Sequence, residues 1–355
     1  MMLIFPVKIL LVSLAALLPI QSPAQVGRQI GASPRTLAGR CFYPGVSHAM
    51  SFVPGGNTTN TFVCSADPEL RRFIVFVPSS YQPSLGPYPV VYMLHGTGQT
   101  AQIIKNNTTW NQAAETLGFI AVYPEALPYL LNDGTTRTKW HTLNVAQFTV
   151  DPSELPMADD VAYLRELQNT LAAHLNVDCE RVFASGFSNG GGFVKSMARV
   201  HLADIFAATS SSGGLGLPTG IPTDFYPLDG VSFRPHFEIV GTRDANKKAT
   251  CVAAGDINPG DDLPRLVADI VNTPCMWDPL TALAEAVGLD PGAYRSIEQP
   301  GFTQILWNTA LHPGPGPTEF RFRILPNLGH EYPSGTNYPV DHVPIYYQWM
   351  TQYTR

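Results

Sequence analysis

The stretch that most restricts how this chain can fold is RVFASGFSNGGGF, Arg181 to Phe193. Val182-Phe183-Ala184 is an apolar run of β-forming residues, and Phe193-Val194-Lys195-Ser196-Met197-Ala198 reads as helix. Gly186-Phe187-Ser188-Asn189-Gly190 must therefore turn the chain from a strand into a helix. At such a turn the central serine sits in strained backbone geometry with its hydroxyl raised above the sheet. Small neighbours are required because larger side chains would collide there. Ser188 is accordingly a candidate nucleophile. A Gly-x-Ser-x-Gly sequence also describes an ordinary glycine-rich turn, and the strand and helix on either side are what favour the nucleophile. The stretch lacks the Gly-Lys-Ser/Thr ending of a phosphate-binding loop and the Gly-x-Gly-x-x-Gly spacing of a dinucleotide turn.

A serine hydroxyl is too weakly acidic to attack at neutral pH, so an imidazole must take its proton. Of nine histidines, His330 fits the position of a base: it follows Gly329 in the loop after the strand Phe320 to Leu325, shortly before a terminal helix expected over Val343 to Tyr353. His312 is its rival. The strand His236 to Val240 runs into Gly241-Thr242-Arg243-Asp244, which puts Asp244 at a strand end after the nucleophile, the place for a carboxylate that orients the base. Asp229 and Asp278 are rivals without so clear a strand before them. The apolar run Val90 to Leu94 predicts a strand buried on both faces and ends in His95-Gly96-Thr97-Gly98-Gln99. Small residues there leave backbone N–H groups open to hold an oxyanion, one from Thr97 and the other from Asn189. His95 is expected to prop this loop without transferring protons.

Around these, Arg71 to Pro78 and Phe119 to Tyr123 read as strands and Thr109 to Leu117 as a helix. Val161, Leu164, Leu167, Leu171 and Leu175 recur at helical spacing after Asp159-Asp160, which are read as cap and loop tether. Phe206 to Ser210 reads as a further strand. The region Pro124 to Pro156 is expected to be a long loop carrying Trp140. Residues 247–317 read as an insertion between acid and base with helices over Leu263 to Val271 and Pro279 to Val287. Such a segment commonly shapes a pocket. Trp140, Trp277 and Trp307 are candidates to line it, with packing in the core as the competing role.

Leu94-His95-Gly96, the Ser188 elbow with its glycines, Gly241-Thr242-Arg243-Asp244 and Gly329-His330 together resemble the motifs of secreted esterases of the polyhydroxybutyrate depolymerase-like and feruloyl esterase group. The resemblance runs from Arg71 to the C-terminus. It implies an α/β-hydrolase fold, a mostly parallel sheet with helices on both faces, and hydrolysis of carboxylic esters with no cofactor. It departs from the group at Thr97, where cysteine is frequent, and over the long region between Asp244 and Phe320. Two other readings stay open on the same scaffold: a peptidase or acyltransferase, and a non-catalytic carbohydrate- or ester-binding protein.

The ends and the charge bound the setting. Met1 to Ala24 has a basic residue at Lys8, an apolar Ile9 to Ile20, and Ser22-Pro23-Ala24, the pattern of an export signal. Residues 25–65, rich in Gly, Pro, Ser and Thr, are expected to form an irregular wrap ahead of a catalytic domain over 66–355. The chain is thus expected outside the cytoplasm. With 28 acidic and 22 basic residues, a nucleic acid or an anionic membrane is disfavoured as a partner, and no obligate protein partner is evident. Five cysteines in an exported chain point to disulfides. The pairings nearest in sequence are Cys41 with Cys64 and Cys251 with Cys275, which would leave Cys179 a buried thiol. No Cys-x-x-Cys or paired His motif suggests a metal. Asn57, Asn106 and Asn107 open Asn-x-Thr sequons, used only in a eukaryotic secretory host.

Overall fold

Ten strands form one sheet whose centre is parallel and whose two margins are antiparallel. A computed structural model describes residues 35–37, 40–43, 46–67, 69–142, 159–198, 201–213, 234–311 and 319–355. The proposed export signal, Asp229 and His312 lie outside the described residues. Six strands run parallel in the order β14, β11, β10, β9, β5, β6. They are β5 (Tyr88–Leu94), β6 (Ile120–Pro124), β9 (Val177–Phe187), β10 (Ala208–Ser212), β11 (His236–Gly241) and β14 (Phe320–Leu325). Every residue of β5, β6, β10 and β11 is buried, as strands covered on both faces must be. That burial explains why β5 and β6 are continuous apolar runs and β10 is made of small residues, whereas β11 also buries His236 and Glu238.

Two antiparallel strands extend each margin. On one side β4 (Leu70–Val77) pairs with β6, and β3 (Gly56–Val63) pairs with β4. The irregular wrap expected over 25–65 is therefore corrected: its last part is an eight-residue edge strand. The polar sequence GNTTNTFV hid it, because an edge strand keeps most of its residues in contact with water. On the other side β13 (Phe302–Trp307) pairs with β14 and β12 (Tyr294–Gln299) with β13. β1 (Arg35–Leu37) with β2 (Arg40–Phe42), and β7 (Pro128–Leu130) with β8 (Thr136–Thr138), form two further two-stranded sheets. The second of these lies in what the sequence suggested was loop.

Helices cover both faces. On one face α3 (Asp160–His174) buries Tyr163, Leu164, Leu167 and Leu171 against Tyr92 and Val182. Asp159 caps it by accepting from Ala162 N at 2.8 Å. Asp160 is buried, ion-paired with the buried Arg71, and accepts from His141 N at 2.7 Å, so the expected tether exists. On the other face α1 (Ala101–Asn107), α2 (Trp110–Leu117) and α8 (Val343–Met350) pack on Val91, Phe183 and Phe237. Each fully buried large apolar side chain in these layers contributes about 1.5–3 kcal/mol.

Within residues 247–311, two strands extend the sheet and the helices build a third apolar cluster. Helices α5 (Ala245–Ala254), α6 (Val267–Val271) and α7 (Pro274–Ala286) pack there against Ile305, Phe320 and Phe322. Cys251 of α5 and Cys275 of α7 are joined by a disulfide with Cα atoms 5.2 Å apart. Closing a loop of this length stabilises by about 3 kcal/mol in the chain-entropy account. The Cys41–Cys64 pairing is corrected. Cys64 is a free, buried thiol, while Cys179 is disulfide-bonded. Nearness in sequence misled, because β2, which carries Cys41, runs beside β9, which carries Cys179.

Candidate active site

Three parallel strands deliver the three candidate residues to one end of the sheet. At the end of β9, Ser188 has φ 51° and ψ −117°, a positive φ that costs a non-glycine residue strain. The short helix α4 (Asn189–Phe193) starts at once and passes into a π-helical turn, Val194–Ala198. The tightness dictates the glycines: a Cβ at Gly186 would lie 2.4 Å from Gly190 O, and one at Gly190 would lie 2.5 Å from His95 O. Lys195 of the π turn is buried and paired with Glu238 of β11, 2.9 Å from both carboxylate oxygens. Together they tie the helix behind Ser188 to the strand that leads to Asp244.

His330 joins the other two. Ser188 Oγ lies 2.9 Å from His330 Nε2, and His330 Nδ1 lies 2.9 Å from Asp244 Oδ2. With the imidazole proton on Nδ1, the ring donates to Asp244 and accepts from Ser188. Asp244 is buried, and its second oxygen, Oδ1, accepts from Asn246 N and Lys247 N at 3.0 Å each as the N-cap of α5. The carboxylate is thus held by a helix start on one oxygen and presents the other to the ring. The rival Asp278 sits within α7.

The oxyanion loop emerges from an accounting of its N–H groups. Gly96 N donates to Gln99 Oε1 at 3.0 Å, Gly98 N to Thr138 O at 2.8 Å, and Gln99 N to Gly96 O at 3.1 Å. Ser188 N donates to Ser212 O at 2.9 Å. Among the described residues, the N–H groups of Thr97 and Asn189 donate to no acceptor, leaving the two predicted donors available. A Cβ at Gly96 would lie 3.2 Å from Ser188 Cβ, so the loop borders the nucleophile.

His95 props this loop, as the sequence suggested. Ala126 N donates to its Nε2 at 3.0 Å, so the proton is on Nδ1, which donates to Gly96 O at 2.8 Å. Burial lowers its pKa to about 4. A buried neutral histidine binds fewer protons than the unfolded chain between about pH 4 and 6.5, so stability is full above 6.5 and is lost as pH falls through that window. Acidifying from pH 7 to 5 is expected to remove about 2 kcal/mol through His95 alone. Thermal unfolding of wild type and His95→Gln across that range checks it; equal pH slopes in the two would refute the assignment.

The tryptophans are corrected. Trp140 is fully buried, donates from Nε1 to His95 O at 2.9 Å, and packs against Phe193. Asn189 Oδ1 accepts from Trp140 N at 2.7 Å. Trp140 is therefore a post beneath the oxyanion loop. Trp307 is fully buried and pairs with Phe320, the first residue of β14, at the end of the parallel strands away from Ser188. Trp277 packs against it at a tilt, with ring centroids 5.8 Å apart. Both serve the third core cluster.

Three contributors escaped the sequence reading. The Phe187 ring lies 5.1 Å from the His330 ring. Gly213, at φ +61°, leaves the imidazole room, since a Cβ there would meet Nδ1 at 3.1 Å. Ser212 Oγ donates to Glu331 O at 3.1 Å and fixes the histidine loop. Only Gly213, after a short strand of small residues, left any trace in the sequence.

Among the described residues, no group of three or more His, Cys, Asp or Glu is placed to hold a metal ion, and no helix is long and apolar enough to cross a membrane. A family model described as a putative esterase matches residues 67–291. The chain is 26% identical over 174 residues to the bifunctional acetylxylan esterase/xylanase XynS20E of Neocallimastix patriciarum, covering 49% of this chain and 21% of that protein. It is 24% identical over 176 residues to the probable acetylxylan esterase A of Aspergillus flavus, covering 49% of this chain and 52% of that one. The chain thus spans only part of the curated relatives it matches. In fold it is similar to an acetyl xylan esterase from Aspergillus awamori, with a TM-score of 0.52 at 15% identity over 83% of this chain and 99% of that one.

Proposed function

The chain belongs to the putative-esterase family and has the α/β-hydrolase fold, and from that premise we propose that it is a serine esterase cleaving short acyl esters, acetyl groups on plant-wall carbohydrate foremost. The observation that carries the reading is the unbroken chain of contacts from Ser188 Oγ to His330 to Asp244, each 2.9 Å. Acetyl is favoured because two relatives are named as acetylxylan esterases. Feruloyl and hydroxyacyl esters are the remaining candidates.

In the mechanism, Ser188 Oγ attacks the ester carbonyl carbon while its proton passes to His330 Nε2. The carbonyl oxygen becomes an oxyanion, which the N–H groups of Thr97 and Asn189 hold; one such donor is typically worth about 10²–10³ in rate. Asp244 balances the imidazolium. Collapse expels the alcohol, which takes the proton from His330 and leaves an acyl-Ser188. Water, activated by the same imidazole, then attacks the acyl carbon, releasing the carboxylic acid and restoring Ser188. The disulfides at Cys251–Cys275 and Cys179 support an oxidising, extracytoplasmic setting.

The test joins a fluorophosphonate probe to a substrate panel of acetylated xylan, methyl ferulate and hydroxybutyrate oligomers. Labelling is expected at Ser188, with acetate release from xylan the fastest reaction. An unlabelled Ser188 in folded protein would overturn the catalytic reading in favour of a binding protein. Faster cleavage of methyl ferulate would overturn only the acyl preference.

A further inference from the structure

Among the described residues, Arg323 is a charge with no carboxylate beside it. It lies in β14 opposite Gln304 of β13 and is 8% exposed. Its Nε and Nη2 donate to Gln304 Oε1 at 3.3 and 2.7 Å. No carboxylate lies within ion-pairing reach of it among the described residues. Arg321, two residues earlier, has its own acid in Glu319 at 2.8 Å. Burial, and then Arg321, lower the Arg323 pKa to about 10, as expected of a desolvated cation with no anion beside it.

The surroundings suit a flat anionic group. The Arg323 guanidinium lies over two aromatic rings, 4.2 Å from the centroid of Phe302 and 5.1 Å from that of Phe237. Gln304 occupies two of the five N–H groups an arginine carries, and Nη1 has no described partner. Arg323 keeps 8% of its surface open to solvent. His342 at the start of α8 is buried and held neutral, its pKa lowered to about 4 by burial and then by Arg323 among other neighbours. It supplies no compensating charge. Tyr338 is half-buried and Val340 is 50% exposed on the segment leading to His342. An arginine presents this free edge best to a planar, singly charged acceptor.

We propose that Arg323, backed by Gln304 and bordered by Phe302 and Phe237, forms a binding site for a carboxylate, separate from Ser188 and its partners. A single positive charge favours a carboxylate, which is planar and singly charged, over a phosphate, which is tetrahedral and more highly charged.

The test is thermal unfolding in sodium acetate and in sodium formate against sodium chloride at fixed ionic strength. A saturable rise of about 2–5 °C specific to the carboxylates is expected in wild type. Arg323→Gln should abolish it. Because that variant risks poor folding, Gln304→Glu is the second arm: its own carboxylate would neutralise Arg323 and weaken the response at least about tenfold. Ser188→Ala should respond as wild type does. No carboxylate-specific rise in wild type, or an undiminished rise in Gln304→Glu, overturns the proposal. Neither readout needs turnover, so failure here leaves the esterase reading untouched, and the converse holds.

Discussion

Ser188→Ala is expected to lower kcat for p-nitrophenyl acetate by about 10⁴- to 10⁶-fold, the range seen when a nucleophile that works as one unit with its base is removed. The loss should fall on kcat rather than KM, because the hydroxyl makes its decisive contribution as a bond to the acyl carbon. Folding should be almost unaffected. The His330 side chain is 21% exposed, so its Nε2 can turn to water once Ser188 Oγ is gone. An unfolding midpoint within about 2 °C of wild type is expected alongside the lost activity. A variant that still turns over at more than a hundredth of the wild-type rate would mean that another group does the chemistry.

Asp244→Asn is expected to cost about 10³- to 10⁴-fold in kcat. The reason lies in the direction of one proton. With a carboxylate, Nδ1 must donate, which leaves the Nε2 lone pair facing Ser188 Oγ. An amide keeps its oxygen on the N–H groups of Asn246 and Lys247, where the cap holds it, and so turns its NH₂ toward Nδ1. The ring then accepts at Nδ1 and carries its proton on Nε2, where it cannot take another from serine. Because the cap oxygen survives, stability should fall by less than about 1 kcal/mol, whereas Asp244→Ala loses the cap as well and should lose a further 1 kcal/mol or so. Kinetics and unfolding measured on both variants separate the two duties. Retention of a tenth or more of the activity in the Asn variant would show that the carboxylate does not orient the base.

What could be read from the sequence was whatever burial had simplified. The central parallel strands are legible where a strand covered on both faces has no polar phase to confuse it: the run Val90 to Leu94 lies wholly within β5, every residue of which is buried. The positions of Ser188, Asp244 and His330 followed, since each sits at the carboxyl end of such a strand. β3 was missed because Asn57, Thr59 and Thr61 face water, which makes a strand look like loop. The tryptophans were misjudged for a different reason: composition shows that a side chain is large and amphipathic, not which side of the sheet it fills. Cys64 and Cys179 exchanged roles because three-dimensional neighbours need not be neighbours in the chain. Gly213 and Phe187 act through contacts with His330 that exist only once β9, β10 and β14 are side by side.

The parallel pairing of β11 with β14 sets Gly241 beside Leu325, and from those two points short turns reach the acid and the base. Once the first turn of α5 has fixed Asp244, the polypeptide that follows it on the way to β14 has little leverage on the distance from Asp244 to His330. That later material, which here holds the disulfide-linked end of α5, α6, α7 and the strands β12 and β13, could be lengthened, shortened or exchanged while the chemistry at the far rim stays in adjustment. Engineers grafting a new module into this protein should cut there first.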